Sequence, residues 1–435
     1  MAKLLIKNGR VIDPANNLDA VCDILVEAGK IAKVAKNIKS DAEEIIDATD
    51  KMVLPGLVDM HVHLREPGRE DKETIASGTR AAAKGGVTSV LAMPNTLIPI
   101  DSLPNIELLK GIIEKSAQVN VFICGAISKG RLGKELTDIS ALKAAGAIAL
   151  SDDGASVDDA GLMQEALRRA KEENIVVSCH CEDKSLSGNG VVNAGFTSTR
   201  LGLRGISAES EYQRVARDIE LAEKADAPIH IAHVSSKESV ALIAKAKARG
   251  VKVTAEATPH HFSLSEEAVL EYDTNMKVNP PLRSQEDIEA IKAGLKDGTI
   301  DAIASDHAPH TENEKDIEFE RAEFGSIGLE TILAVSISAL IETKVLSWPE
   351  LVKRLSLNPA QILKVAKGTL SPGQDADIIV VDPEQEWAAG KSSLVSKSKN
   401  CAFLGKVLKG VVEYTLCGGR VVYALYPDTG TGKID

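Results

Sequence analysis

The sequence predicts an α/β fold, a (β/α)8 TIM barrel carrying a small composite β domain built from both termini. Three observations lead there. Between residues 56 and 362, apolar strand-like runs alternate with stretches at helical spacing. The flanks, 1–55 and 363–435, read instead as short strands broken by Gly, Asn and Asp. Polar residues gather where the middle strands end, the rim at which barrel enzymes carry their chemistry. These observations divide the chain into 1–55, the N-terminal part of the β domain, 56–362, the barrel, and 363–435, the C-terminal part. An open doubly wound sheet is the alternative for the middle region.

Taken in order, the N-terminal runs LLIKNGRVID, DILVEAGKIAKVA and EEIIDATDKMVLP are strand-like, and Asn8-Gly9 reads as a tight hairpin turn. Eight strand candidates follow, at 57–64, 87–93, 119–126, 147–151, 175–180, 228–233, 251–256 and 300–305. Helical spacing marks Ala76–Lys84, Leu103–Lys115, Ala160–Glu173, Ala208–Ala225, Lys237–Arg249 and Gln285–Leu295. Gly85-Gly86 ends a helix rather than cradling a phosphate. Strand texture returns in ADIIVVDP and GKVLKGVVEYTLCGGRVVYA.

Composition narrows the function. The 435 residues are 44% hydrophobic and 26% charged, enough for a large core and against wholesale disorder. The net charge of −12 argues against nucleic acid or an anionic membrane as general partner. An anionic substrate would therefore need local positive charge supplied by its site. No apolar run reaches membrane-spanning length, and MAKLLIKNGRVIDP lacks the features of a signal peptide, so a cytoplasmic location is expected. The six cysteines show no CxxC spacing and read as free thiols. No GxGxxG or P-loop pattern supports nucleotide binding.

Asp59-Met60-His61-Val62-His63-Leu64-Arg65 alternates strictly. In a strand, Asp59, His61, His63 and Arg65 face one side, the barrel axis, and Val58, Met60, Val62 and Leu64 face the helices. Two imidazoles two residues apart can share a metal, although histidines in such a pair are more often structural. The rest of the set changes those odds. Asp153 follows strand four, His180 and His233 close strands five and six, and Asp306 follows strand eight. Four imidazoles and two carboxylates without thiolates suit zinc, with manganese, iron or cobalt as chemical alternatives. They suffice for two metals if one carboxylate bridges them. Arg65, Asn95, Asn279 and His310 stand near the same rim and could neutralise an anionic substrate.

The run from Asp59 to Gly68 resembles the opening metal motif of dihydroorotases, members of the amidohydrolase superfamily. Met93-Pro94-Asn95-Thr96 and Asp306-His307-Ala308-Pro309-His310 resemble two further signatures, and the likeness to the class I branch covers the whole chain. It implies His61 and His63 on one metal and His180 and His233 on a second. Many relatives bridge the metals with a carboxylated lysine; here Asp153 stands at that place, with Asp152 as the competing choice. The resemblance implies zinc, one or two ions per chain. It makes Asp306 a metal ligand and general base. It makes His63, Leu64, Arg65, Asn95, Asn279, His310, Phe324 and Gly325 substrate contacts. Thr311 to Glu323 resembles the family's mobile loop.

The implied reaction is reversible conversion of dihydroorotate to N-carbamoyl-aspartate in pyrimidine synthesis, by attack of a metal-bound hydroxide. A homodimer and an assembly with aspartate transcarbamoylase are the partners left open. Two rival readings remain at this point. One is another cyclic amidohydrolase, a hydantoinase or allantoinase, although those carry the bridging lysine. The other is a non-catalytic partner of the transcarbamoylase, which would not need all six ligand candidates.

Overall fold

In the computed structural model, which describes residues 3–426, both ends of the chain enter one sheet. Its N-terminal strands are β1 (Leu4–Asp13), β2 (Leu18–Glu27), β3 (Lys30–Ala35), β4 (Glu44–Asp47) and β5 (Met52–Pro55). The barrel strands begin one residue later with β6 (Leu57–Val62), β7 (Val87–Ala92), β8 (Asn120–Gly125), β9 (Ala147–Leu150) and β10 (Val176–Cys179). A short parallel pair, β11 (Val192–Asn193) and β12 (Gly205–Ile206), lies in the next connection. The barrel resumes with β13 (Ile229–Ile231), β14 (Val253–Ala257) and β15 (Ala302–Ile303). The chain then returns to the first sheet with β16 (Ile378–Ala388), β17 (Val407–Cys417) and β18 (Arg420–Ala424).

The eight barrel strands pair in parallel, in the order β15-β14-β13-β10-β9-β8-β7-β6. The ring closes where Val62 bridges His307, with the His63 N–H donating to the His307 carbonyl at 2.8 Å. Helices over Ile75–Lys84, Leu103–Ser116, Ala160–Glu172, Ala208–Ala225, Lys237–Ala248 and Gln285–Asp297 follow the strands as the periodicity predicts. An additional short helix, Ile139–Ala144, precedes β9.

Alternation along the strands sorts the core. Val62, Leu64, Val90, Ala92, Val177 and Cys179 join the large cluster shared with helix residues such as Ile75, Leu109 and Leu167. Leu91, Met93, Ala149, Val176, Ala302 and Ala304 form a separate cluster. Those residues share parity with Asn95, Asp153, His180 and Asp306 on their own strands. The same barrel-facing side is thus apolar below and polar at those strand ends. On β6 the expectation fails for Val58 and Met60, which join this interior cluster rather than facing the helices, the register with β7 shifting between Asp59 and Val62.

The terminal sheet joins the two ends of the chain directly. β5 pairs parallel with β1 and antiparallel with β16, which continues into β17 and β18. One expectation fails here. Asn8-Gly9 is not a hairpin turn but a bulge inside β1, where the register with β2 shifts between Ile6 and Gly9. Asn8 takes a φ of 63°, and a Cβ on Gly9 would fall 2.4 Å from Val53. The actual two-residue turn, between β2 and β3, is Ala28-Gly29, with φ of 51° and 78°. Among the described residues no helix is long and apolar enough to cross a membrane.

Phe262 is fully buried in the main core. Phe262→Ala is expected to cost about 3–5 kcal/mol. A lowered denaturant midpoint would register this, and an unchanged midpoint would contradict the packing described.

Candidate metal centre and substrate cavity

Four histidines meet around one carboxylate at the barrel rim. Asp153 Oδ1 lies 3.2 Å from His61 Nε2, 3.5 Å from His233 Nε2 and 3.7 Å from His180 Nδ1, and Oδ2 lies 3.4 Å from His63 Nε2. Asp306 Oδ1 lies 3.1 Å from His63 Nε2 and 3.7 Å from His61 Nε2. Two donor sets therefore come together, His61 with Asp153 and His233, and His61 with His63 and Asp306. All are buried. His61 Nε2 and Asp153 Oδ1 have no hydrogen-bond partner, and neither has His233 Nδ1. Orphaned polar atoms this deep cost free energy unless a ligand takes them, and imidazole with carboxylate is a donor set suited to a divalent metal.

The strand ends place these groups. His63, Asp153, His180, His233 and Asp306 each lie one to three residues beyond β6, β9, β10, β13 and β15. Arg65, His233 and Asp306 turn out of their strands with left-handed backbone, φ of 61°, 32° and 47°. Such a conformation costs roughly 1–3 kcal/mol at a residue other than glycine, and it persists where the surroundings enforce it. Asp153, not Asp152, faces the histidines. Asp152 accepts the Ile127 and Ser128 N–H groups and the Ser128 hydroxyl, so it ties down the loop after β8.

Three of the four imidazoles are oriented from behind, which fixes the nitrogen each presents; His233 has no such partner. His61 Nδ1–H donates to Glu256 Oε1 at 2.6 Å, His63 Nδ1–H to Asn95 Oδ1 at 2.8 Å, and His180 Nε2–H to Glu182 Oε2 at 3.1 Å. The opposite nitrogens of His61 and His63 face Asp153 and Asp306, and that of His180 faces His233 Nε2 at 2.9 Å. Glu256 is held in turn by His230, which is buried and hydrogen-bonded on both ring nitrogens. Asp59 accepts the His61 and Ser305 N–H groups, so it fixes backbone rather than a ring. Burial pushes its carboxyl up to about 6. For Asp153 and Asp306, burial also acts upward, but the surrounding histidines outweigh it and hold both well below the usual carboxylate range. Burial disfavours charge on His61 as well, yet Asp153 and Glu256 more than offset it. The anions that favour a proton there equally favour a metal ion.

A cavity of about 540 Å³ opens onto this centre. His63, Arg65, Asn95, Asp153, His180, His233, Asn279, Asp306, His310, Phe324 and Gly325 all line it. His61 lies beneath it, fully buried. Leu64 does not reach it. Its side chain packs in the helix-facing core against Gly78, on the face that alternation assigns to it. Burial lowers Arg65 to about 10, still a cation at neutral pH. Asn279 Nδ2 donates to Glu182 at 3.1 Å. The Gly325 backbone is already engaged. Its N–H meets the Lys277 carbonyl at 2.8 Å, and its carbonyl accepts from Lys315 and Asn400. A neighbouring hollow of about 630 Å³ shares His310 but holds mixed charges and none of the metal-type donors.

Several residues were missed in the sequence. Glu256 and Glu182 orient His61 and His180. Lys277 sits in the cavity wall, and its ammonium donates to the Phe319, Glu320 and Ala322 carbonyls. Lys315 holds the Glu323 carbonyl at 2.8 Å. The segment 311–323 is thus held by Lys277 from outside and by its own Lys315 from within, and Glu312–Lys315 forms a short helix. Glu256 alone carried a signal, since a carboxylate inside the apolar strand VTAEA requires a partner.

Barrel, terminal sheet and histidine–carboxylate centre together define a protein of the amidohydrolase superfamily. Residues 50–239 match the family model described as dihydro-orotase-like. The chain is 54% identical over 432 residues to a dihydroorotase of Elusimicrobium minutum, covering 99% of both chains. It is 48% identical over 433 residues to one of Thermoanaerobacter sp., covering 100% of both. Among solved structures, an L-hydantoinase (dihydropyrimidinase) from Arthrobacter aurescens superposes with a TM-score of 0.89 at 26% identity, over 98% of this chain and 96% of that one. The chain belongs to the dihydroorotase family.

Glu256→Gln is expected to weaken divalent-metal binding about 10–100-fold with the fold intact. Competition with a chelator, checked by circular dichroism, measures this. Wild-type affinity in a folded variant would contradict the role given to Glu256.

Proposed function

We propose that this chain is a dihydroorotase, interconverting dihydroorotate and N-carbamoyl-aspartate, and that zinc, one or two ions per chain, serves it. The observation that carries the reading is Arg65. It is a half-buried guanidinium lining the same cavity as the metal-type donors, in a protein of net charge −12. A cation so placed answers a carboxylate on the substrate. The full-length relatives named dihydroorotase support the same substrate.

His61, His63, Asp153, His180, His233 and Asp306 would hold the metal. When bound, it would supply Lewis-acid polarisation of the amide carbonyl and make water more acidic. The chain's own residues do the rest. Arg65 and His310 hold the exocyclic carboxylate, and Asn95 and Asn279 wall the ring, so the scissile amide is set beside Asp306. Ring opening forms a carbon–oxygen bond from water to the carbonyl carbon and breaks the ring carbon–nitrogen bond. Asp306, held as an anion by its histidines, accepts the water's proton and delivers it to the departing nitrogen. Ring closure runs the same path backward. Segment 311–323 covers the cavity and limits water. A hydantoinase would need no carboxylate clamp, and its structural likeness rests on 26% identity.

The purified chain is expected to turn over dihydroorotate and carbamoyl-aspartate in preference to hydantoin or allantoin. Asp306→Asn should lower kcat by about 10²–10⁴-fold. Arg65→Ala should chiefly raise KM, by about tenfold or more, through loss of a charge-assisted contact. Steady-state kinetics decides. Near-normal kcat in the folded Asp306 variant would refute the general-base role, and preference for hydantoin would refute the substrate.

A further inference from the structure

Lys72 is not among the residues lining the cavity, yet it is only 6% exposed and stands behind one of the residues that do. Its Nζ lies 3.0 Å from His310 Nδ1 and 3.0 Å from Glu314 Oε1. An ammonium has donors only, so His310 Nδ1 must offer its lone pair. A neutral imidazole with a lone pair on Nδ1 carries its proton on Nε2. The other edge of the ring gives the same answer independently. Nε2 lies 2.8 Å from the Phe324 carbonyl oxygen, which can only accept. The two ring contacts fix the imidazole, and the His310 backbone N–H is held by Asn400 Oδ1 at 3.0 Å.

His310 Nε2 also lies 3.2 Å from Arg65 Nη2. With the proton on Nε2, these are two donors side by side on the cavity wall, the His310 proton resting on the Phe324 carbonyl until a substrate anion takes it. One anionic acceptor then satisfies both. We propose that Lys72 is a positioning residue that fixes His310 as the Nε2–H tautomer, making the ring a second donor to the substrate carboxylate beside Arg65. This rests on the dihydroorotase reading above and specifies how its carboxylate clamp is set.

Glu314 shows why a lysine is needed. Its Oε2 lies 3.6 Å from His310 Nδ1. Without Lys72, that carboxylate becomes the nearest partner of Nδ1 and draws the proton to it. Nε2 would then turn a lone pair on the incoming carboxylate, and the clamp would become repulsive on one side. Burial and the neighbouring cations Arg65, Lys72 and Lys315 keep the ring from charging, so the choice lies between the two neutral tautomers.

The test uses the full-length enzyme with ¹⁵N-labelled histidine. The His310 ring nitrogens are assigned by their loss in His310→Gln, and the native enzyme is compared with Lys72→Met. The native ring is expected as Nε2–H and the variant ring as Nδ1–H. KM for dihydroorotate should rise about tenfold or more, the scale of a lost hydrogen bond to a charged group, while kcat changes far less. Lys72→Arg, which retains a donor, should restore the Nε2–H form. An unchanged tautomer in Lys72→Met would overturn the proposal, as would a changed tautomer with unchanged KM. If Lys72→Met does not fold, the native spectrum still decides, since an Nδ1–H ring there contradicts it. A native enzyme with no turnover of dihydroorotate would overturn the proposed function and this inference together. That failure is told apart because the other outcomes leave native turnover intact.

Discussion

The site depends on one buried anion, Asp153, surrounded by four imidazoles. A carboxylate removed from water must find compensating charge or donors. Asp153 finds them in residues from three different strand ends, β6, β10 and β13. Because the strands close into a ring, His61, His63, His180 and His233 all reach the same few ångströms. Glu256, Asn95 and Glu182 then turn the rings so that lone pairs point inward. Removing any of these supports would leave a ring free to present the wrong nitrogen.

Around this centre the barrel separates its tasks by depth. Below the rim, alternate positions such as Leu91, Ala149 and Ala302 are apolar and pack the interior. At the rim the same parity becomes polar on β7, β9, β10 and β15, whereas on β6 and β13 the left-handed turns at Arg65 and His233 bring residues of the other parity to the site. The substrate side is built from a different source. Arg65 comes from the end of the first barrel strand, His310 from beyond the last, and Asn400 from the segment between β16 and β17. Lys277 fastens the segment 311–323 by the Phe319, Glu320 and Ala322 carbonyls, and Lys315 ties its end by the Glu323 carbonyl.

The barrel was legible because its helices and strands carry clear periods, and the donor set because histidine and aspartate recur at successive strand ends. What escaped has physical reasons. The helix Ile139–Ala144 spans fewer than two turns, too short for a period to declare itself. Asn8-Gly9 has the composition of a hairpin turn, and only pairing with β2 and the approach to Val53 make it a bulge. Leu64 neighbours two site residues in sequence but faces the other way, as strand alternation requires. Glu182, Lys72 and Asn400 act through partners far away in the chain. Asn400 meets His310 across 90 residues, so no local pattern could reveal it.

The central claim is that Asp153 is the shared carboxylate of a metal centre. Calorimetric titration of the metal-stripped native chain and of Asp153→Asn with a divalent metal tests it most directly. The native chain should bind one or two ions tightly, and the folded variant should lose a site or bind far more weakly. Equal stoichiometry and affinity in the two proteins would contradict the account.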